Sequence, residues 1–94
     1  MIMNRKDLNL VALLTTLPNI GPTLAKQLQA VAITTPEQLK STGSKVAFTA
    51  IKKANPHACI QLLYSLQGAI ENCSYPQLSP ASREDLKQFF RSLL

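Results

Sequence analysis

The chain has 94 residues, a length that forms one domain and excludes a multidomain enzyme. Hydrophobic residues make up 46% and charged residues 16%, so the chain is too apolar for disorder, and polar residues interrupt its longest uncharged stretch, unlike a membrane span. Ten Lys and Arg against five Asp and Glu give a net charge of +5, an excess that suits a polyanionic partner without establishing one.

The start of the chain indicates a cytoplasmic protein, and its two cysteines are not expected to pair with each other. The opening MIMNRKD leads into no continuous apolar signal region, so we expect no secretion and a flexible N-terminus over residues 1–6. Cys59 and Cys73 are expected to be small buried hydrophobes within one helix. A continuous helix would separate them by about 21 Å, which excludes a disulfide between them.

Apolar residues recur at helical spacing along the chain, and no run alternates as a β-strand does. A first helix is predicted to be capped by Asp7 and to stop before Pro18. Its apolar positions are Leu10, Val11, Leu14 and Leu17. A second helix is predicted to begin at Pro22. Its apolar face consists of Leu24, Leu28, Val31 and Ala32.

Capping signals define the next two helices. Thr35 followed by Pro36, with Gln38 at the third helical position, predicts a capping box that opens a short helix, and Gly43 can end it. Ser44 is predicted to cap a fourth helix that ends where Asn55 meets Pro56. Its inward residues are Ala47, Phe48 and Ile51. Its solvent-facing residues are Lys45, Lys52 and Lys53.

The last two helices complete the prediction. The fifth is expected to start at Asn55 and Pro56 and to be the central, most buried one, since no charged side chain lies between Ala54 and Ile70. Its apolar stripe is Cys59, Leu62, Leu63, Leu66, Ile70 and Cys73. The sixth opens at Ser79 and Pro80. Its apolar face is Leu86, Phe89, Phe90 and Leu93. The sequence predicts an all-α, single compact domain over residues 1–94, made of five to six short helices.

The segment LPNIGPTLAKQL, Leu17 to Leu28, describes a tight hairpin between the first two helices. Pro18 ends the first helix, and Asn19 is a residue type that tolerates left-handed backbone angles. Ile20 can tuck its side chain between the helices, and Gly21 permits close approach of the chain. The segment resembles the helix-hairpin-helix motif, which holds a duplex backbone through hairpin amides without reading bases, and which usually has glycine at the position of Asn19.

A phosphate could be held at this hairpin. The amides of Gly21, Thr23 and Leu24 fall where helical N–H groups lack intrahelical partners and the helix dipole is positive. Thr23 can add its hydroxyl, and Lys26 follows about one turn later. The alternative is that the hairpin only reverses the chain and packs two helices. The candidate nucleic-acid-binding residues are Asn19, Gly21, Thr23, Leu24, Lys26, Lys52 and Lys53.

From about Leu10 to Leu94 the chain resembles the C-terminal domain of the TfoX/Sxy family, bacterial regulators of natural competence. The resemblance is carried by LPNIGPTLAKQL, by TTPEQLKSTGSKVAF at Thr34 to Phe48, and above all by PHACIQLLYSLQGAI at Pro56 to Ile70. It implies an all-α domain with a helix-hairpin-helix element, usually joined to an N-terminal α/β domain. The full-length regulator acts with the cyclic-AMP receptor protein at competence promoters, so the resemblance implies regulation of DNA uptake.

Duplex DNA, contacted weakly through its backbone, is therefore the expected partner. The alternative is a protein-interaction module that binds a transcription regulator or a separate N-terminal-type partner through apolar residues of the last helix. The residues that motivate it are Phe89, Phe90, Leu93 and Leu94. A basic face that could extend a DNA footprint, or be simply solvated, consists of Arg83, Lys87 and Arg91.

Catalysis, a metal and a cofactor are not expected. His57 and Cys59 stand two apart, but no further ligands are visible nearby, so a metal site is not predicted. One His and scattered carboxylates offer no arrangement of nucleophile, base and orienting acid. The three glycines lie far apart and form no nucleotide-binding loop.

Overall fold

The computed structural model describes residues 11–94, which form six α-helices and one 3-10 helix with no strand. The expected all-α class is confirmed. The predicted cap at Asp7, the apolar position Leu10 and the flexible N-terminus at residues 1–6 lie outside the described residues.

The helices follow the predicted order. The described part of helix α1 covers residues 11–14, and the other elements are α2 (Pro22–Ala30), α3 (Pro36–Thr42), α4 (Ser44–Ala54), α5 (Ile60–Ile70), the 3-10 helix (Tyr75–Gln77) and α6 (Pro80–Ser92). Helix α5 is central as predicted, because it packs against α3, α4, the 3-10 helix and α6. The largest fully buried side chains are Leu14, Leu28, Leu39, Phe48, Ile51, Leu63 and Leu66.

Local chemistry sets where several helices begin. Helices α2, α3 and α6 each have proline in the first turn, where its missing N–H costs no hydrogen bond. The hydroxyls of Thr35 and Ser79 accept the N–H groups of Gln38 and Ser82, each at 3.1 Å. The predicted capping box at Thr35 is incomplete, however, because the Gln38 side-chain oxygen accepts from the Thr34 N–H at 2.7 Å instead.

Ser44 does not cap α4 as predicted. Gly43, with φ 87, holds the cap position and ends α3 at the same time. Ser44 is only 4% exposed, and its hydroxyl donates to the side-chain oxygen of Gln67 on α5 at 2.5 Å. The hydroxyl therefore ties α4 to α5, since a buried polar group needs a partner wherever one is available.

The predicted start of α5 at Asn55 and Pro56 is also wrong. A turn precedes the helix, in which the Ala58 N–H donates to the Asn55 carbonyl at 3.0 Å and the His57 N–H to the Asn55 side chain at 3.2 Å. The helix begins at Ile60 with Cys59 at its N-cap. Cys59 is exposed, contrary to its expected burial, whereas Cys73 is half-buried, and both thiols are free. Neither lies within the helix, so the distance derived from a continuous helix does not apply.

Helix α2 ends earlier than its apolar pattern predicts. Ala32 was expected on the buried face, but it is exposed and lies beyond the helix with φ 67. The Ile33 N–H donates to the Leu28 carbonyl at 2.9 Å and the Ala32 N–H to the Gln29 carbonyl at 3.0 Å. This is the Schellman arrangement, which places its second residue past the helix in the left-handed region that glycine usually fills.

Candidate nucleic-acid interface

The α1–α2 loop, residues 15–21, is the segment for which the sequence predicts ligand contact. Helix α1 tightens at its end, where the Leu17 N–H donates to the Leu14 carbonyl at 3.1 Å. Asn19 has φ 69, the left-handed conformation expected for this residue type. Ile20 is 5% exposed and belongs to the core, so it anchors the loop as predicted.

Gly21 does not have the role expected of it. Its φ of −91 and ψ of −178 are extended angles that any residue adopts. A β-carbon built at Gly21 would meet no atom within 4 Å among the described residues. Neither special backbone angles nor close approach therefore requires glycine at this position.

The Asn19 side chain fastens the loop to the rest of the domain. Its amide nitrogen donates to the Cys73 carbonyl at 2.9 Å and to the Ser65 carbonyl at 3.3 Å. Its oxygen accepts the Tyr75 N–H at 3.1 Å. These bonds bind the loop to α5, to the segment after it and to the 3-10 helix. The side chain of Asn19 thus faces the protein, so a phosphate at the loop would contact the backbone of this residue and not its side chain.

The close approach expected at Gly21 occurs instead at Gly68. This residue is buried inside α5, and a β-carbon built on it would lie 2.5 Å from the Asn19 amide nitrogen and 2.8 Å from the Cys73 carbonyl oxygen. Gly68 therefore makes room for the Asn19 side chain. Sequence reasoning missed this contact, although an isolated glycine within an apolar helix is a recognisable signal of close packing.

The N-terminus of α2 carries amides that no described residue accepts from. The Ala25 N–H donates to the Gly21 carbonyl at 3.0 Å, whereas the N–H groups of Gly21, Thr23 and Leu24 have no acceptor within residues 11–94. Gly21 offers no side-chain cap, and the first turn holds no acidic residue. The positive end of this helix is therefore uncompensated by the described part of the chain.

Thr23 and Lys26 extend the same end of α2 into solvent. Both side chains are exposed, and neither has a hydrogen bond or ion pair with residues 11–94. Lys26 is the one formally charged side chain between residues 11 and 36. No carboxylate of that stretch competes with an incoming anion.

Lys52 and Lys53 lie in the last turn of α4. The Lys52 ammonium donates to the carbonyls of Pro56 and Ala58 at 3.0 and 3.2 Å and lies 5.5 Å from the centre of the Phe90 ring. Lys53 is exposed on the α6 side of α4. Across the described chain, no hydrogen bond or ion pair joins either lysine to the α1–α2 loop.

The three residues of the predicted basic face of α6 differ in their contacts. Arg83 donates to the carbonyls of Tyr75 and Pro76 at 3.3 and 2.6 Å, so it holds the 3-10 helix. Lys87 and Arg91 are exposed.

Within residues 11–94 there is no cluster of three or more His, Cys, Asp or Glu side chains that could hold a metal ion. None of the helices described is long and apolar enough to cross a membrane.

The fold is thus a small all-α domain whose exposed polar features include the N-terminus of α2 and lysines on α2, α3, α4 and α6. Residues 11–90 match the family described as the TfoX C-terminal domain, and the chain belongs to this family. The family is a regulatory, non-catalytic domain related to competence.

Two crystal structures from Listeria monocytogenes are similar to the chain, each at 40% sequence identity and with a TM-score of 0.84. One is described as an uncharacterized protein in a triclinic form, and the similarity covers 85% of this chain and 91% of that one. The other is described as a protein of unknown function in a tetragonal form, with coverage of 86% and 99%. No curated protein matches the chain at a significant level.

Proposed function

We propose that this domain is a non-enzymatic regulatory module that binds the backbone of duplex DNA through the N-terminus of α2, without reading base sequence. The observation that carries the proposal is the set of amides at Gly21, Thr23 and Leu24, which have no acceptor within the described chain. Family membership supports a regulatory role related to DNA uptake.

The physical basis is anion binding at a helix end. Unpaired amides and the helix dipole together favour a phosphate at this position. The Thr23 hydroxyl adds a donor, and Lys26, one turn along the exposed surface, neutralises the same or an adjacent phosphate. Such contacts fix position on a duplex and carry no sequence information.

Lys52 and Lys53 assist through their positive field. The Lys52 ammonium is already occupied by the carbonyls of Pro56 and Ala58, yet it keeps its charge. Charges that do not touch the phosphate still raise the local concentration of a polyanion and the rate of encounter. Their effect falls with ionic strength, because the Debye length is about 8 Å at physiological salt.

The test is binding of a short labelled duplex, followed by fluorescence anisotropy at two or more salt concentrations. Lys26→Glu is compared with Lys40→Glu, which makes the same charge change at an exposed lysine of α3. We expect Lys26→Glu to weaken binding more than Lys40→Glu does. It should also flatten the dependence of log affinity on log salt by about 0.9 for each phosphate that the variant no longer neutralises.

Two results would contradict the proposal. One is an affinity that does not change between low and moderate salt. The other is a DNA titration, followed by NMR, in which the amide resonances of Gly21, Thr23 and Leu24 stay in place while others shift. Equal losses for Lys26→Glu and Lys40→Glu would reduce the α1–α2 loop to a structural connection.

The alternative, binding of a transcription regulator without DNA contact, draws on the C-terminal apolar residues. Phe90 is largely committed to the core, where its ring lies 5.8 Å from that of Phe48. Leu94 is 85% exposed, so its side chain is accessible to a protein partner. Leu94→Asp tests this alternative better than a change at Phe90, which would disturb the fold.

A further inference from the structure

An open depression runs along α4 where α6 packs beside it, and we call it the α4–α6 groove. It consists of two adjoining hollows of about 430 and 250 Å³. The first is lined by Lys45, Val46, Thr49, Ala50, Lys53 and Phe89. The second is lined by Thr49, Lys52, Lys53 and Leu93. The two share Thr49 and Lys53, so they form one continuous surface.

The groove exists because α4 has short side chains on this face. Thr49 and Ala50 lie one turn after Val46, and they leave space beside the longer Phe89 of α6. Val46 is 62% exposed although it is a large apolar residue in the first turns of the helix. A ligand that covers an exposed apolar surface of this kind lowers the free energy, because it removes that surface from water.

The length of the groove fits a short helical segment. Its lining on α4 runs from Lys45 to Lys53, nine residues whose Cα atoms span about 12 Å at 1.5 Å per residue. That is a little over two helical turns. A partner helix could place one apolar side chain in each hollow, from positions three or four residues apart.

The charge of the groove is one-sided. Three of its lining residues are lysines, and no carboxylate lines either hollow within residues 11–94. Asp85 lies beside the groove, where its carboxylate is 2.8 Å from the Lys45 ammonium and neutralises one of these three charges. Lys53 is exposed and has no ion-pair partner in the described chain.

We propose that the α4–α6 groove binds an acidic amphipathic helix of a partner protein, at a site separate from the N-terminus of α2. Apolar side chains of the partner would cover Val46 and Phe89, and its carboxylates would face Lys53 and Lys52. Charge complementarity of this kind selects the partner and speeds encounter. This interaction does not depend on DNA binding at the α1–α2 loop.

Two other occupants fit less well. A DNA backbone would satisfy the lysines but would gain nothing from the apolar floor between them. A second copy of this chain, paired groove to groove about a two-fold axis, would bring the same lysines toward each other. Neither matches both the charge and the apolarity of the groove.

The proposal is tested with a synthetic helical peptide that carries two leucines four residues apart and glutamates on its flanks. Two control peptides have the leucines replaced by alanine or the glutamates replaced by lysine. NMR titration of the isotope-labelled domain reports where each peptide binds, and anisotropy of a labelled peptide reports the affinity. We expect shifts at residues of α4 and the C-terminal half of α6 with the acidic peptide, and affinity at least about tenfold weaker for both controls.

Variants of the domain provide the second arm. Val46→Glu and Lys53→Glu both change exposed side chains, and each should reduce affinity for the acidic peptide by about tenfold. Lys40→Glu, the matched charge change on α3, should leave it unchanged. Circular dichroism tests whether each variant is folded, and the Lys53→Glu measurement remains a valid test if Val46→Glu is unfolded.

The proposal is overturned if millimolar acidic peptide moves no resonance of α4 or α6, or if the lysine-substituted peptide binds equally well. It is also overturned if duplex DNA shifts the groove and the peptide does not. A dimer that dissociates on Val46→Glu would assign the groove to a second copy of the chain. The DNA test on Lys26→Glu has a different ligand and a different residue, so the two proposals fail independently.

Discussion

Gly68→Ala is the substitution that most directly tests how the α1–α2 loop is held. The added β-carbon would lie 2.5 Å from the Asn19 amide nitrogen and 2.8 Å from the Cys73 carbonyl oxygen. Both separations are well below an ordinary van der Waals contact. The Asn19 amide must therefore move, and it is the group that donates to Cys73 and Ser65 and accepts from Tyr75.

The expected loss of stability follows from these contacts. The three displaced hydrogen bonds contribute about 1 kcal/mol each. Their total of about 3 kcal/mol matches the upper end of the range for overpacking a core. The better helix propensity of alanine offsets about 1 kcal/mol of this loss. The free energy of unfolding should fall by about 2 kcal/mol. For a domain of this size, that lowers Tm by about 8 to 16 °C.

Urea and thermal denaturation followed by circular dichroism measure the effect. Gly21→Ala is the matched control, since its β-carbon meets nothing within 4 Å. The loss of a glycine N-cap and the stiffer unfolded chain act in opposite directions, so its stability should change by about 0.5 kcal/mol or less. A Gly68→Ala protein as stable as the wild type would refute the inference that the lack of a side chain at Gly68 makes room for the Asn19 side chain.

A double-mutant cycle isolates the pair. Asn19→Ala removes the side chain whose nitrogen lies nearest to the new β-carbon. The combined Asn19→Ala and Gly68→Ala change should therefore reduce stability by less than the sum of the single changes. Strict additivity would show that the two residues do not interact.

Three further changes follow from particular contacts. Ala32→Gly should raise the free energy of unfolding by up to about 1 kcal/mol. Glycine removes the backbone strain of alanine at φ 67, and this gain slightly exceeds the cost of the greater conformational entropy of glycine in the unfolded chain. A urea midpoint that does not rise would contradict this. Ser44→Ala should lower stability by about 1 to 2 kcal/mol, since it deprives the Gln67 oxygen of its donor, whereas Ser41→Ala at an exposed site of α3 should have no effect. Asp85→Asn should cost about 0.5 kcal/mol or less, because its ion pair is solvent-exposed, and that loss should vanish in high salt if the reasoning holds.

Much of the secondary structure was predictable because its causes are local. Pro22, Pro36 and Pro80 fix the backbone at helix starts, and the Thr35 and Ser79 hydroxyls cap amides three residues away. These interactions involve neighbours in sequence. The residue types alone therefore indicate them.

The errors arose where a side chain had a choice of partners. Ser44 could have capped α4, but its hydroxyl reaches Gln67 across the helix interface. Asn55 could have opened α5, but it closes a turn with Ala58 and His57. Whether such a group serves its own helix or another depends on what lies opposite, which the sequence does not specify.

The candidate site shows the same division. The amides of Gly21 and Thr23, which have no acceptor within residues 11–94, and the exposed Lys26 follow from a helix that begins at proline after a glycine. Their location was predictable from the sequence. The α4–α6 groove was not foreseen, because it requires the short side chains of α4 to face Phe89 of another helix. A groove between two helices has no signature within either one.

The all-α class, the order of the helices and the position of the polar helix end were predictable from the amino-acid sequence, since each of these depends on residues within a few positions of one another. The hydrogen bond from Asn19 to Cys73, fifty-four residues away, and the role of Gly68 in making room for it become apparent in the folded chain alone. Close packing depends on which atoms the fold brings together, and residue types do not specify distances between remote segments.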